Sequence, residues 1–146
     1  MSQNVILFNN GTGVSLMIPA ESSVDECLKN DVPKGAKYIV IDRDEMPSYI
    51  FQDAWSIKND KISIDMNKAR DVHRSFLRIG REPKLKELDI KFQIALEKGE
   101  DLKPITSAKQ ALRDLTIDPA IEAAETTDDL VSIWPELDPN PYINYK

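Results

Sequence analysis

The chain has 146 residues, with 19 Lys and Arg against 25 Asp and Glu, one His and one Cys. No apolar run approaches the roughly 20 residues a spanning helix needs, which argues against a bulk membrane role. Cys27 has no second cysteine to pair with, so an internal disulfide and a cysteine-based zinc site are both excluded. The start, MSQNVILFNNGTG, lacks a basic region before its apolar stretch and a small-residue cleavage site, which argues against a secretory leader.

Residues 4–18, NVILFNNGTGVSLMI, place two apolar runs around Asn9–Gly13. Asn and Gly tolerate the positive φ of hairpin turns, so this segment predicts a β-hairpin that Pro19 ends. Ser22 and Ser23 precede a short helix, with Ser23 and Glu26 spaced as a capping box. Val24, Cys27 and Leu28 fall on one face, so Cys27 reads as a small buried hydrophobe. Asp31–Gly35 is a turn, and Lys37–Ile41 a strand by its β-branched content. YIFQDAWSI at 49–57 fits a strand or a helical turn equally well. Lys61–Ile64 is another short strand.

At Asp65 the period changes. Asp65 is an N-cap, and helical spacing runs from Met66 to about Lys98. Pro83 predicts a kink or break near Gly80–Glu82. Beyond it, Leu85, Leu88, Ile90, Phe92, Ile94, Ala95 and Leu96 form an arc wide enough to need cover on two sides. Gly99–Lys103 is a loop. Pro104 opens a helix with Ala108, Ala111, Leu112 and Leu115 on one stripe. Asp118-Pro119 opens a short helix through Ala124. Thr126 or Thr127 caps another over Asp128–Trp134, which Pro135 stops. The tail Leu137–Lys146 has two prolines and no period. It predicts an extended segment that docks on something through Tyr142 and Tyr145, with a neighbouring subunit slightly favoured over its own helices.

The expected architecture is therefore α+β. A β-rich unit covers 1–64, a helical unit with a long kinked helix and short helices covers 65–135, and a proline- and tyrosine-bearing tail covers 136–146.

Charge is uneven. Residues 1–60 hold five basic and nine acidic side chains, residues 61–98 ten and six, and residues 99–146 four and ten. A basic helix facing acidic neighbours or an acidic partner explains this better than nucleic-acid binding, which the overall acidity opposes. Arg70, Arg74, Arg78 and Arg81 recur at helical spacing along one side. They read as a solvated face or as a stripe that docks on an acidic partner. Asp42 and Asp44 after the third strand are the one pair suited to a metal-dependent hydrolase, yet a solvated turn explains them too. His73 reads as a surface or interface residue rather than a base. No catalytic, metal or cofactor-binding set is expected.

Asp31-Val-Pro-x-Gly, a strand, Asp42…Pro47 and Phe51-x-Asp53-Ala54-Trp55 resemble a pattern of small proteins encoded in bacteriophage tail gene regions. Met66-Asn-Lys-Ala69-Arg70-x-x-His73-Arg74, Leu77-Arg78, Arg81-x-Pro83 and Leu85…Leu88-Asp89 continue it. Lys109-Gln110-Ala111-Leu112-Arg113-Asp114, Asp118-Pro119 and Leu130…Trp134-Pro135 complete it. These segments are similar to the helical module of tail assembly chaperone-like and tail-fibre-associated proteins, over roughly residues 31–135. The resemblance implies a non-enzymatic protein that contacts other tail or virion proteins, with self-association a further option; the lack of a long apolar run argues against a membrane partner. It would act in the host cytoplasm during assembly or stay in the virion. Arg70, Arg74, Arg78, Arg81, Trp134, Tyr142 and Tyr145 are the expected partner-binding residues.

Overall fold

A computed structural model describes residues 3–20 and 23–145. Ser22 and Lys146, both used in the sequence reading, lie outside the described residues. The fold is mixed α+β, with small sheets first and helices after. The chain divides into two compact units, one ending at Ala69 and including Tyr145, the other running from Arg70 to Asn144.

In the first unit, β1 (Asn4–Asn9) lies between β2 (Val14–Met17) and β3 (Tyr38–Asp42), antiparallel to both. Central position explains why β1 reads as an unbroken apolar run: Val5, Ile6, Leu7 and Phe8 are all buried. Their side chains alternate between two covered faces. On one face Leu7, Val14 and Ile39 pack with Trp55 and Ile57 from the hairpin of β4 (Trp55–Lys58) and β5 (Lys61–Ile64). On the other, Ile6 and Phe8 pack with Cys27 and Val32, where α1 (Val24–Asn30) provides the cover.

The turns follow the local chemistry. Asn10 Oδ1 accepts the N–H groups of Thr12 and Gly13 at 2.9 and 2.8 Å, and Gly11 takes φ +96°. Asn59 and Asp60 join β4 to β5 with φ of 52° and 60°, a primed two-residue turn. Ser23 Oγ accepts the Glu26 N–H and caps α1. The open segment resolves into both alternatives: Tyr49–Ala54 is 3₁₀ and Trp55 starts a strand. Burial pushes the Cys27 thiol upward in pKa, helped by Asp31 and Glu26.

The helix α2 runs from Met66 to Lys98, with Asp65 Oδ1 accepting the Asn67 N–H at 3.0 Å. Of the two expected outcomes, a kink or a break, the break does not occur, since Pro83 lies inside one continuous helix. Pro83 and Ile79 are both exposed, so the Ile79 carbonyl, which loses its helical donor at residue 83, faces solvent. Gly80 has a different role from that of a breaker. A Cβ there would stand 3.1 Å from Leu137 Cβ and 3.5 Å from the Trp134 ring, so glycine lets the returning chain approach the helix backbone. Four more elements complete the unit: α3 (Lys103–Asp114), a 3₁₀ turn (Leu115–Ile117), α4 (Pro119–Ala123) and α5 (Thr127–Ser132). Thr126 and Asp129 form a reciprocal capping box on α5. The second cover expected over the second half of α2 is absent among the described residues: Ile90, Ile94 and Leu96 are exposed.

Candidate functional site

The arginine stripe works mainly within its own unit. Arg81 donates to the carbonyls of Leu112 and Arg113 at 3.3 and 2.9 Å, at the end of α3. Arg74 donates from Nε to the Thr116 carbonyl at 3.1 Å and pairs with Glu122 and, at 3.5 Å, with Asp71. Arg70 donates to the carbonyls of Ile121 and Ala124 at 3.1 and 2.8 Å, at the end of α4. The final turn of a helix leaves carbonyls without donors and carries partial negative charge. The planar guanidinium, with several N–H groups in a fixed fork, suits that demand better than a lysine. Going backward along α2, the three arginines thus hold successive carbonyls of the chain returning past it. The Arg74 hydrogen bond also lowers the Glu122 pKa. Arg78 alone of the four is exposed and makes no bond or ion pair among the described residues. A stripe of four arginines offered whole to an acidic partner is therefore corrected to three internal clamps and one exposed cation.

His73 is buried, not a surface residue. Its Nδ1 shares a 2.7 Å hydrogen bond with the Tyr142 hydroxyl. The two rings stack at 5.8 Å with planes 11° apart, and Trp134 stands edge-on to both. Phe76 closes the cluster edge-on to Tyr142 at 5.8 Å. Trp134 Nε1 donates to the Leu137 carbonyl at 3.4 Å, and Lys84 to the Glu136 carbonyl at 3.0 Å. The tail therefore docks on the helical unit of its own chain through Leu137 and Tyr142, both buried, rather than leaving Tyr142 for a neighbour. Ile143 is exposed. Tyr145 belongs with the first unit, edge-on to Phe51 at 6.1 Å.

Burial, then the charge of Arg74, lowers the His73 pKa to about 4, while Asp118 opposes the shift. The unfolded chain, with an ordinary imidazole near 6.5, takes up the proton first. The contribution from neutral His73 is thus complete above about pH 6.5, declines through the interval down to about 4 and is absent below it. We expect it to reach on the order of 2 kcal/mol after solvent screening. Urea midpoints of the wild type and of His73→Phe, compared from pH 7 to 4.5, measure it. Parallel pH profiles for the two proteins would contradict the assignment.

Asp42 and Asp44 lie in a turn. Asp42 Oδ1 accepts the Asp44 N–H at 2.9 Å and starts a short 3₁₀ turn. Among the described residues no three His, Cys, Asp or Glu side chains gather as metal ligands, and no helix is long and apolar enough to cross a membrane.

The surface feature that sequence reading passed over is a groove on the helical unit. It has a volume of about 550 Å³, with Leu88 on α2, Ala108 and Ala111 on α3, Leu115 at the start of the following 3₁₀ turn, and Pro135 and Leu137 from the tail. Helix α3 is held to α2 beside it by Lys109, 2.5 Å from Asp89 and 5.3 Å above the Phe92 ring. The stripe Ala108–Ala111–Leu115 was visible as helical spacing. That it borders an open groove depends on where the tail comes to rest, and no local pattern encodes that. No family model, curated protein or solved structure matches the chain.

Proposed function

We propose that the chain is a non-enzymatic bacteriophage tail-associated protein that works through protein–protein contacts, in tail assembly or in tail and fibre structure. It acts in the host cytoplasm during assembly or remains in the virion. The resemblance across roughly residues 31–135 supplies the tail context. The observation that carries the mode of action is the open apolar groove of α2, α3 and the tail. Alanines on one wall leave it deep enough for large side chains of a partner to enter, and leucines supply apolar area to bury. Ile79, Ile90 and Ile94 extend the exposed apolar surface of the same unit. In this reading Arg70, Arg74, Arg81, Trp134 and Tyr142 build the surface, and Arg78 is the stripe's one cation free to meet an acidic partner.

Filling the groove tests the proposal. Ala108 and Ala111 are exposed, so Ala108→Trp and Ala111→Trp leave the fold intact. Tail proteins encoded in the same phage genome serve as prey against the immobilised full chain. The expected result is retention of a tail protein by the wild type and its loss with either tryptophan, at unchanged melting temperature. Retention of none of the tail proteins by the wild type, or equal retention by the filled variants, would overturn the reading.

A further inference from the structure

The two edges of the three-stranded sheet are treated differently. At β2, Gln52 Nε2 donates to the Val14 carbonyl at 3.3 Å, and Pro19 follows the strand. Such side-chain capping and a proline are ways of blunting an edge. At β3 nothing comparable is present among the described residues. The bonds from the Asn9 N–H to the Lys37 carbonyl and from the Arg43 N–H to the Gln3 carbonyl set the ladder phase. With that phase, Lys37, Ile39 and Ile41 turn their backbone groups toward β1, and Tyr38 and Val40 turn theirs away. No group among the described residues bonds the backbone of Tyr38 or Val40. A groove of about 660 Å³ runs beside this edge, between Ala36–Val40 and the Asn59–Asp60 turn. Tyr38 and Val40 are also among the exposed large hydrophobic side chains.

We propose that this edge is a self-association surface, where β3 pairs antiparallel with β3 of a second copy about a two-fold axis at Ile39. Three features favour a second copy as the occupant. First, the register is self-complementary. Tyr38 falls opposite Val40 of the second copy and Val40 opposite its Tyr38, so the outward backbone groups meet in about four hydrogen bonds. Second, both side-chain pairs in that register are aromatic with β-branched, a favourable cross-strand combination. Third, the strand is charged oppositely at its two ends: Lys34 and Lys37 precede it, and it ends in Asp42, followed by Arg43, Asp44 and Glu45, a net negative end. An antiparallel copy brings each basic end to an acidic one. The strand has no proline, lysine or bulge to prevent this. The interface is short, so the dimer is weak and depends on concentration. The inference stands apart from the phage-tail reading, which rests on the helical unit.

Sedimentation equilibrium of the full chain over a wide concentration range tests it, together with amide exchange at Tyr38 and Val40. The expected result is a monomer–dimer equilibrium in which both amides become protected as dimer forms. Val40→Pro removes a donor that the β1 ladder does not use. It should weaken the dimer by about tenfold or more, since a donor is lost from each copy. Tyr38→Lys should also weaken it, and it decides the matter if the proline variant fails to fold. A monomer at every concentration, a dimer unaffected by the folded variants, or Tyr38 and Val40 amides that stay unprotected in the dimer would each overturn the proposal.

Discussion

Replacing Tyr142 with alanine is expected to destabilise the helical unit by about 3–5 kcal/mol, the cost of deleting a large buried ring. The ring is 6% exposed and touches His73, Phe76 and Trp134. Its loss opens a cavity and leaves His73 Nδ1 without its partner. Tyr142→Phe keeps the ring and removes only the hydroxyl, so it should cost about 1–2 kcal/mol. Ile143 next to it is 76% exposed, and Ile143→Ala should change stability by no more than about 0.5 kcal/mol. Urea denaturation of the three variants gives the ranking. Equal small effects at 142 and 143 would mean that the tail contributes nothing to the unit. A truncation after Leu137 also removes Tyr142 and should destabilise the helical unit.

Arg70→Met should cost about 2–3 kcal/mol, because it keeps the aliphatic stem and deletes a charged donor to two carbonyls. Arg70→Lys should recover part of this, since one ammonium cannot match the spread of the guanidinium fork. Arg78→Met is the control, with an expected change of no more than about 0.5 kcal/mol. The contrast between residues 70 and 78 separates a clamp from a solvated charge. If both substitutions are equally silent, the carbonyls at the end of α4 are satisfied by solvent and the clamp has no energetic weight. Arg74→Glu should be worse than neutral replacement. It removes the donor to Thr116 and sets a carboxylate beside Glu122.

Local pattern made much of the fold legible. The Asn9–Gly13 hairpin, the strand at Lys37–Ile41, the N-cap at Asp65 and the capped helix after Thr126 all rest on turn chemistry or periodicity within a few residues. What escaped depends on distant partners. Pro83 is a strong breaker in isolation, yet α2 runs on through it where Ile79 and Pro83 are both exposed. Gly80 looks like part of the same interruption until Leu137 is seen against it. The arginine spacing correctly put the side chains along α2, but their acceptors are backbone carbonyls, which have no residue-type signature. His73 and Tyr142 are 69 residues apart, and nothing near either one announces the pair. The groove inherits this difficulty, because Pro135 and Leu137 form part of it only once the tail is seated.

The helical unit and its groove therefore depend on the tail lying against its own helix in a single chain. Hydrogen exchange at dilutions where the protein is monomeric measures this directly, read at the amides of Leu137 and Tyr142. Their donors are held by Pro135 and by Asn140, within the segment that Tyr142 anchors. The expected result is protection of both amides that does not change with concentration and that collapses in Tyr142→Ala. Solvent-level exchange in the monomer, or protection that appears only as the protein associates, would contradict the account and return the tail to a neighbouring chain.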